Sequence, residues 1–532
     1  VITRQVVDKD GKQRINVVIT ALDTVYFNYG EQINTGYRHS DCQFYMPGFW
    51  YRQNLRSPEK APSFHTSDSW LVREDRLSSP LTAAFNSSKG KSMSVIRIDK
   101  FDKEALATHK EGEVIVSGET SIGYTGFENI GGMTVLSYGF PYKEAPKTYI
   151  RKLTLAPSVE AFQLLRKGDS ITLSWELSEI DASDFSECVQ RTWEYCYDTN
   201  RPQPVNTPYT VDRMKDVLSN FFVESYVNTT PTHYYSGVEL KTATCASTDV
   251  AEVGFVGRTL LNAFNALEYG FQHNRPELVN SANSIFDTYL SNGFSPAGFF
   301  NEVVHYNRDF KESNLSIRRQ SEGVYAILNY LAYEKQYKRK HPEWENRLKV
   351  ILDSFLRLQN ADGSFPRKFK DDFSIVDGTG GSTPSATLPL VMAYKYFKDK
   401  RYLESAKRTV DYLENELISK SDYFSSTLDA NCEDKEASLY AATATYYLAL
   451  VTKGAERAHY AELCRKAAYF ALSWYYTWDV PFAEGQMLGD IGLKTRGWGN
   501  VSVENNHIDV FIFEFADVLH WLSKEFNEAR FS

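Results

Sequence analysis

Five stretches of this chain read as helices with no polar face, and that feature constrains the fold more than any other. They are Val253–Leu267, Val324–Tyr333, Ala386–Phe397, Ala437–Val451 and Val510–Leu522, roughly 50 to 75 residues apart. A helix that is apolar all round must be enclosed by other elements. Alternating with them are helices that carry one apolar stripe and one charged face, at about Val211–Tyr226, Glu277–Leu290, Pro342–Gln359, Asp399–Leu417 and Ala455–Trp474. A striped helix faces solvent on one side. The alternation predicts inner and outer rings of a C-terminal (α/α) hairpin toroid over residues 201–532. Ten helices make five hairpins and a closed ring of this kind takes six, so the ring is expected to be open, irregular or completed by a further hairpin.

The first 200 residues carry a different period. The runs Ile15-Asn-Val-Val-Ile-Thr, Thr24-Val-Tyr-Phe, Ser94-Val-Ile-Arg-Ile, Glu113-Val-Ile-Val-Ser, Thr148-Tyr-Ile-Arg-Lys-Leu-Thr-Leu and Ser170-Ile-Thr-Leu-Ser-Trp-Glu-Leu are short and rich in β-branched and aromatic residues. They predict an N-terminal antiparallel β-sandwich over 1–200. Residues 36–77 break the pattern and read as a long insertion. Asn200-Arg-Pro-Gln-Pro-Val-Asn-Thr-Pro cannot be helical and marks the domain boundary. The expected fold class is α+β and multidomain.

A formal charge of −9 argues against nucleic acid or an anionic membrane as the main partner, because either selects a basic face. No apolar run reaches the length of a membrane span. The opening Val1-Ile-Thr-Arg is neither a signal peptide nor an initiator methionine, so any targeting segment is expected to have been removed or never to have existed. Aromatic residues make up 14% of the chain, which suits either a heavily aromatic core or stacking against sugar rings. The cysteines lack metal-type spacing; Cys188 and Cys196 could form a local disulfide, or all could be buried thiols.

Each apolar helix opens on polar residues: Thr248-Asp249-Val-Ala-Glu252, Arg318-Arg319-Gln320-Ser321-Glu322, Ser382-Thr383-Pro384-Ser385, Cys432-Glu433-Asp434-Lys435-Glu436, and Ser502 to Asp509 with Ser502 as N-cap. Helix N-termini gathered at one funnel favour anionic ligands and developing negative charge. Asp249 and Asp434 also suit plain capping. His507, with Asn505 and Asn506 before it and Asp509 after it, is either a satisfied core histidine or a group that moves a proton. Arg318 and Arg319 could grip a carboxylate, or could pair with Glu252, Glu322 or Glu504 in a buried network. The second cluster, Tyr37, His39, Asp41, Trp50, Tyr51, Arg52 and Arg73 within 36–77, reads as a lid over the funnel or as a domain interface. His39 with Asp41, or His507 with Asp509, could hold a divalent cation, calcium included. Dinucleotide, P-loop, HExxH and nucleophile-elbow motifs are absent.

A sandwich followed by a hairpin toroid resembles the six-hairpin glycosidase superfamily and its polysaccharide-lyase relatives. The phrases Trp50-Tyr-Arg-Gln-Asn, Arg73-Glu-Asp-Arg-Leu, Arg318-Arg-Gln-Ser-Glu-Gly and Gly497-Trp-Gly-Asn-Val-Ser-Val-Glu-Asn-Asn-His look like the exo-acting rhamnose–glucuronate lyases of gut bacteria. That resemblance implies a secreted or periplasmic enzyme that releases a terminal sugar from a complex acidic polysaccharide by β-elimination. In such a reaction Arg319, Arg52, Arg73 and Asn506 are candidates to bind the uronate carboxylate. His507 and His39, with Tyr37 or Tyr51, are candidates for proton transfer, and Asn505, Trp50 and Trp498 for substrate contact. An inverting glycoside hydrolase would instead use two carboxylates from Glu252, Glu322, Glu436 and Glu504. A non-catalytic glycan-binding protein is the third reading.

Overall fold

The computed structural model describes residues 1–532 except 10, 107–111, 205–206, 240–243, 247–248, 306–313, 426–430 and 510–514, and the side chains of 9, 238–239 and 244–246. Fifteen strands of the N-terminal region form two sheets. They are β1 (Ile2–Lys9), β2 (Lys12–Thr20), β3 (Val25–Phe27), β4 (Tyr29–Arg38), β5 (Cys42–Met46), β6 (Trp50–Arg52), β7 (Trp70–Arg73), β8 (Leu81–Asn86), β9 (Lys91–Arg97), β10 (Gly112–Ile115), β11 (Tyr124–Ile130), β12 (Met133–Phe140), β13 (Lys143–Arg151), β14 (Thr154–Leu165) and β15 (Ser170–Asp181). One sheet runs β1-β2-β15-β9-β8-β5-β6 and the other β10-β14-β13-β7-β11-β12-β4, with β3 beside β14. The pairings are antiparallel except β10 with β14. The run Thr148 to Leu155 is not one strand, because a turn through Leu153 at φ 54° ends β13 and starts β14.

Period-two alternation gives the first sheet two different faces. Phe44, Met46, Trp50, Ala84, Val95 and Trp175 point into a core shared with the second sheet. Tyr45, Tyr51, Ala83, Phe85 and Ile96 point the other way, into a core shared with the helices. Residues 36–77 are therefore not an insertion; they supply β5 and β6 to one sheet and β7 to the other. Their polar residues hid that alternation because several pair with one another inside the protein, as Arg73 does with Asp75.

The helices are α1 (Phe185–Asn200), α2 (Val211–Ser225), α3 (Thr259–Gln272), α4 (Pro276–Asn292), α5 (Ile317–Gln336), α6 (Pro342–Leu358), α7 (Pro384–Phe397), α8 (Lys400–Tyr412), α9 (Lys435–Val451), α10 (Gly454–Leu472), α11 (Met487–Asp490) and α12 (Phe515–Glu525). The alternation seen in the sequence is present in part: α7 and α9 are enclosed over most of their length and α4, α6 and α8 bury one stripe, but α12, expected to be enclosed, also buries only the stripe Phe515, Val518 and Leu522. α3 packs on α5, α5 on α7, α7 on α9 and α9 on α12. None of the described helices is long and apolar enough to cross a membrane.

Three expectations shift. Residues 185–200 are helical, capped by Asp184 accepting from the Glu187 amide, and α1 buries Phe185, Val189 and Trp193 in the helical core. Cys188 and Cys196 lie on this helix as buried free thiols. Eight residues of helix separate their Cα atoms by about 12 Å, too far for a disulfide. The first apolar helix begins at Thr259 rather than Val253, because Val250–Glu252 is a strand paired with Val303–His305 and the chain then turns through Phe255 and Arg258, both at positive φ. Of the last apolar stretch, Phe515–Glu525 is helical and 510–514 lie outside the described residues, so the expected start at Val510 falls outside them. The Ser502 hydroxyl accepts from the Asn505 amide.

Candidate functional site

Two helix N-termini build the mouth. Ser316 caps α5 by accepting from the Arg319 amide, and Asp434 caps α9 by accepting from the Ala437 amide, so Asp434 takes the capping role. The caps place Arg318, Arg319 and Glu322 in the opening turns of α5, and Lys435 and Glu436 in the first turn of α9.

Arg318 is fully enclosed. Its Nε donates to Glu322 Oε1 at 3.2 Å and its Nη1 to the Glu436 carboxylate, 118 residues away in sequence. Glu322 also accepts from Arg258 Nη2 at 3.2 Å, from the Tyr440 hydroxyl at 2.5 Å and from the Phe255 amide. Burial by itself would raise the Glu322 pKa; Arg258, Arg318 and these donors reverse that and hold it at about 2. Gly254 lets the loop reach this carboxylate, since a Cβ there would sit 2.3 Å from Glu322 Oε2.

The neighbouring Arg319 donates to Glu252 Oε1 at 3.0 Å and lies 3.7 Å from buried Glu302. Glu302 accepts from the Ser316 amide and hydroxyl and from Gln320 Nε2 at 3.1 Å. On α9, the enclosed Lys435 ammonium pairs with Asp509 and lies 5.4 Å from the centroid of the Tyr475 ring. Asp509 sits on a short hairpin, Gly499–Asn500 paired with Ile508–Asp509. Gly499 permits this close approach, because a Cβ would lie 2.9 Å from Lys435 Nζ. His507 stands exposed on the same hairpin, its Nδ1 2.8 Å from Asn505 Oδ1. Arg258, Ser321, Glu322, Tyr325 and Tyr440 line a small, open pocket beside the network.

Arg318 thus joins Glu322 to Glu436, Arg319 holds Glu252, and His507 lies on the hairpin whose Asp509 pairs with Lys435, the residue before Glu436. Glu504 is buried, with its carbonyl accepting from the Tyr149 hydroxyl at 3.2 Å. The Asn506 carboxamide donates to the Gly48 and Arg76 carbonyls, tying the hairpin to the sheets instead of facing the pocket. Trp498 is half-buried, and its carbonyl accepts from the Tyr476 amide.

The second cluster does not assemble at this mouth. His39 lies between the sheets, 5.9 Å from the Phe64 ring, with Nδ1 3.1 Å from Thr134 Oγ1; burial lowers its pKa. Tyr37 is buried, and that burial pushes its hydroxyl up to about 12. Trp50 packs on Trp70 inside the sheets. Arg73 is held by Asp75 at 2.7 Å and lies over the Tyr142 ring. Tyr51 bonds Ser473 at 2.8 Å and stacks on Trp474, fastening the sheet to the helices. Arg52 lines a separate cleft. Among the described residues, no group of three or more His, Cys, Asp or Glu side chains is placed to hold a metal ion.

The sequence reading missed Arg258, Glu302 and Tyr440. Arg258 and Glu302 lie in irregular stretches without a periodic signal. Tyr440 lies one turn inside an apolar helix, where a tyrosine reads as core.

Glu433, Glu74 and Glu104 are each pushed up to about 7, first by burial. The folded protein thus keeps protons that the unfolded chain releases near 4.5, and these groups lose stability as pH rises from about 4.5 to 7. Glu322 acts oppositely: its contribution is present above about 4.5 and is lost as pH falls towards 2. Below 6.5 the buried His39 and half-buried His233, whose pKa values burial lowers, pull against the three carboxyls, but they are outnumbered. Thermal melting followed from pH 2 to 8 is expected to peak near pH 5, and Glu433→Gln should flatten the decline towards pH 8. A melting temperature that climbs steadily from pH 5 to 8 contradicts this.

No protein-family model matches the chain, and no curated protein matches it. Among solved structures, a cellobiose 2-epimerase from Spirochaeta thermophila is 12% identical with a TM-score of 0.43, over 62% of this chain and 84% of that one. A D-mannose isomerase is 13% identical with a TM-score of 0.41, over 61% and 84%. An unsaturated glucuronyl hydrolase from a Bacillus species is 13% identical with a TM-score of 0.33, over 46% and 69%.

Proposed function

We propose that the chain is a carbohydrate-active enzyme, a β-sandwich joined to an (α/α) toroid of the six-hairpin kind, that cleaves an acidic polysaccharide by β-elimination beside a uronic acid. The observation that carries this reading is the Arg258–Arg318–Glu322–Glu436–Tyr440 network over a pocket at the mouth. Elimination needs the uronate carboxylate neutralised so that the C5 proton becomes acidic. Arg258 and Arg319, each less enclosed than Arg318, receive that carboxylate, and Lys435 adds positive charge at the start of α9. The proton at C5 passes to His507 on the exposed hairpin. The Tyr440 hydroxyl, kept protonated by burial and by the Glu322 carboxylate beside it, supplies the proton to the departing glycosidic oxygen.

Glu322 does not suit the acid of the hydrolytic alternative. Inversion requires one carboxyl that carries a proton near neutral pH, and a group at about 2 with four donors around it does not. The proposal extends to an exo mode of attack and to a periplasmic or extracellular setting, where such polymers occur. Calcium remains part of it as an activator whose binding residues are unassigned.

Incubation with acidic plant glycans tests the chemistry. Elimination should produce ultraviolet absorbance from a conjugated double bond in step with new chain ends. New reducing ends without that absorbance would replace elimination by hydrolysis.

A further inference from the structure

A second recess lies outside the mouth network, where β5, β6 and the residues after β6 face the segment before α9. Arg52, Arg56, Asp422, Glu433, Gln43 and Gln53 line it. Arg56 lies 3.7 Å over the Phe424 ring, with Nη2 2.7 Å and Nε 3.1 Å from Asp422 Oδ2. Arg52 reaches the other carboxylate oxygen at 3.8 Å and donates to the Lys420 carbonyl at 3.2 Å. One carboxylate thus holds two guanidinium groups, while all three side chains keep some exposure to the recess. At its floor buried Glu433 accepts from the Arg56 amide and the Ser57 hydroxyl, both at 3.1 Å. Glu433 directly precedes Asp434, the cap of α9.

We infer that this recess is a saccharide subsite that binds neutral, hydroxyl-rich sugar units of the same glycan, beyond the unit held at the mouth. Two features select that ligand. Arg52 and Arg56 are offset by Asp41 and Asp422, so the lining has no cationic excess to draw an anion. Vicinal hydroxyls donate and accept at once, matching two guanidinium groups fixed on a shared carboxylate beside two side-chain amides. The inference rests on the glycan reading of the mouth, but binding here requires no turnover.

Native gels cast separately with neutral galactan, arabinan, xylan and mannan, and with polygalacturonate, provide the test. The wild-type chain should be retarded by at least one neutral polymer, and the double variant Arg52→Ala/Asp422→Ala should weaken that retention by about tenfold or more in dissociation constant. Gln43→Ala, which touches no ion pair, should weaken it by a smaller factor. Melting temperatures should stay close to wild type, because the pairs removed are partly exposed. The inference is overturned if no neutral polymer retards the wild type, or if the double variant is retarded as strongly as the wild type. Retention lost in the double variant while the absorbance assay fails would keep this subsite and remove elimination; the reverse pattern would do the opposite.

Discussion

Replacing Arg318 by methionine is expected to lower the free energy of unfolding by roughly 3–5 kcal/mol, the cost of breaking a buried ion pair from one side. Arg318 has no exposed surface, and its guanidinium group spans Glu322 on its own helix and Glu436 on α9. Methionine fills similar space but leaves Glu436 enclosed without that partner. Glu322 would still keep Arg258, Tyr440 and the Phe255 amide. Most of the loss should therefore come through Glu436, and Arg318→Met combined with Glu436→Gln should recover part of it. Chemical denaturation of the single and double variants reads both numbers. A loss below about 1 kcal/mol in the single variant would mean that the network does not hold the two helix starts together.

Replacing His507 by alanine is expected to separate activity from stability. Turnover should fall by about 10²–10⁴, the usual contribution of a positioned proton-transfer group. The melting transition should barely move, since exposed side chains away from caps and cores change stability by about 0.5 kcal/mol or less. Activity on an acidic glycan and a thermal melt of the same preparation decide the matter. Equal loss of both would make His507 a brace for the hairpin that carries Asp509. Unchanged turnover would remove it from the proposed chemistry.

These two residues show how unevenly the site was legible. Arg318, Glu322 and Glu436 stood out because charged residues at the head of an apolar helix have few places to go except a shared, enclosed mouth. His507 was marked by its polar neighbours, yet its exposure could not be read from them. His39, Tyr37, Trp50 and Arg73 had equally suggestive neighbours and belong to the interior of the sheets. Local composition is the same in a lid and in a polar-rich strand pair. Only the direction of each side chain tells them apart.

The alternation of enclosed and striped helices was a property of the residue pattern alone, because a 3.6-residue period reports which faces can meet water. The same holds for the α9 cap at Asp434, whose side chain bonds an amide three residues away. Tertiary structure alone decided which distant charges meet. Arg318 with Glu436, Tyr440 with Glu322 and Lys435 with Asp509 join separate elements across 118, 118 and 74 residues. No local period encodes such pairs; they follow from how whole helices pack, and from glycines at 254 and 499 that let backbone approach where a side chain would not fit.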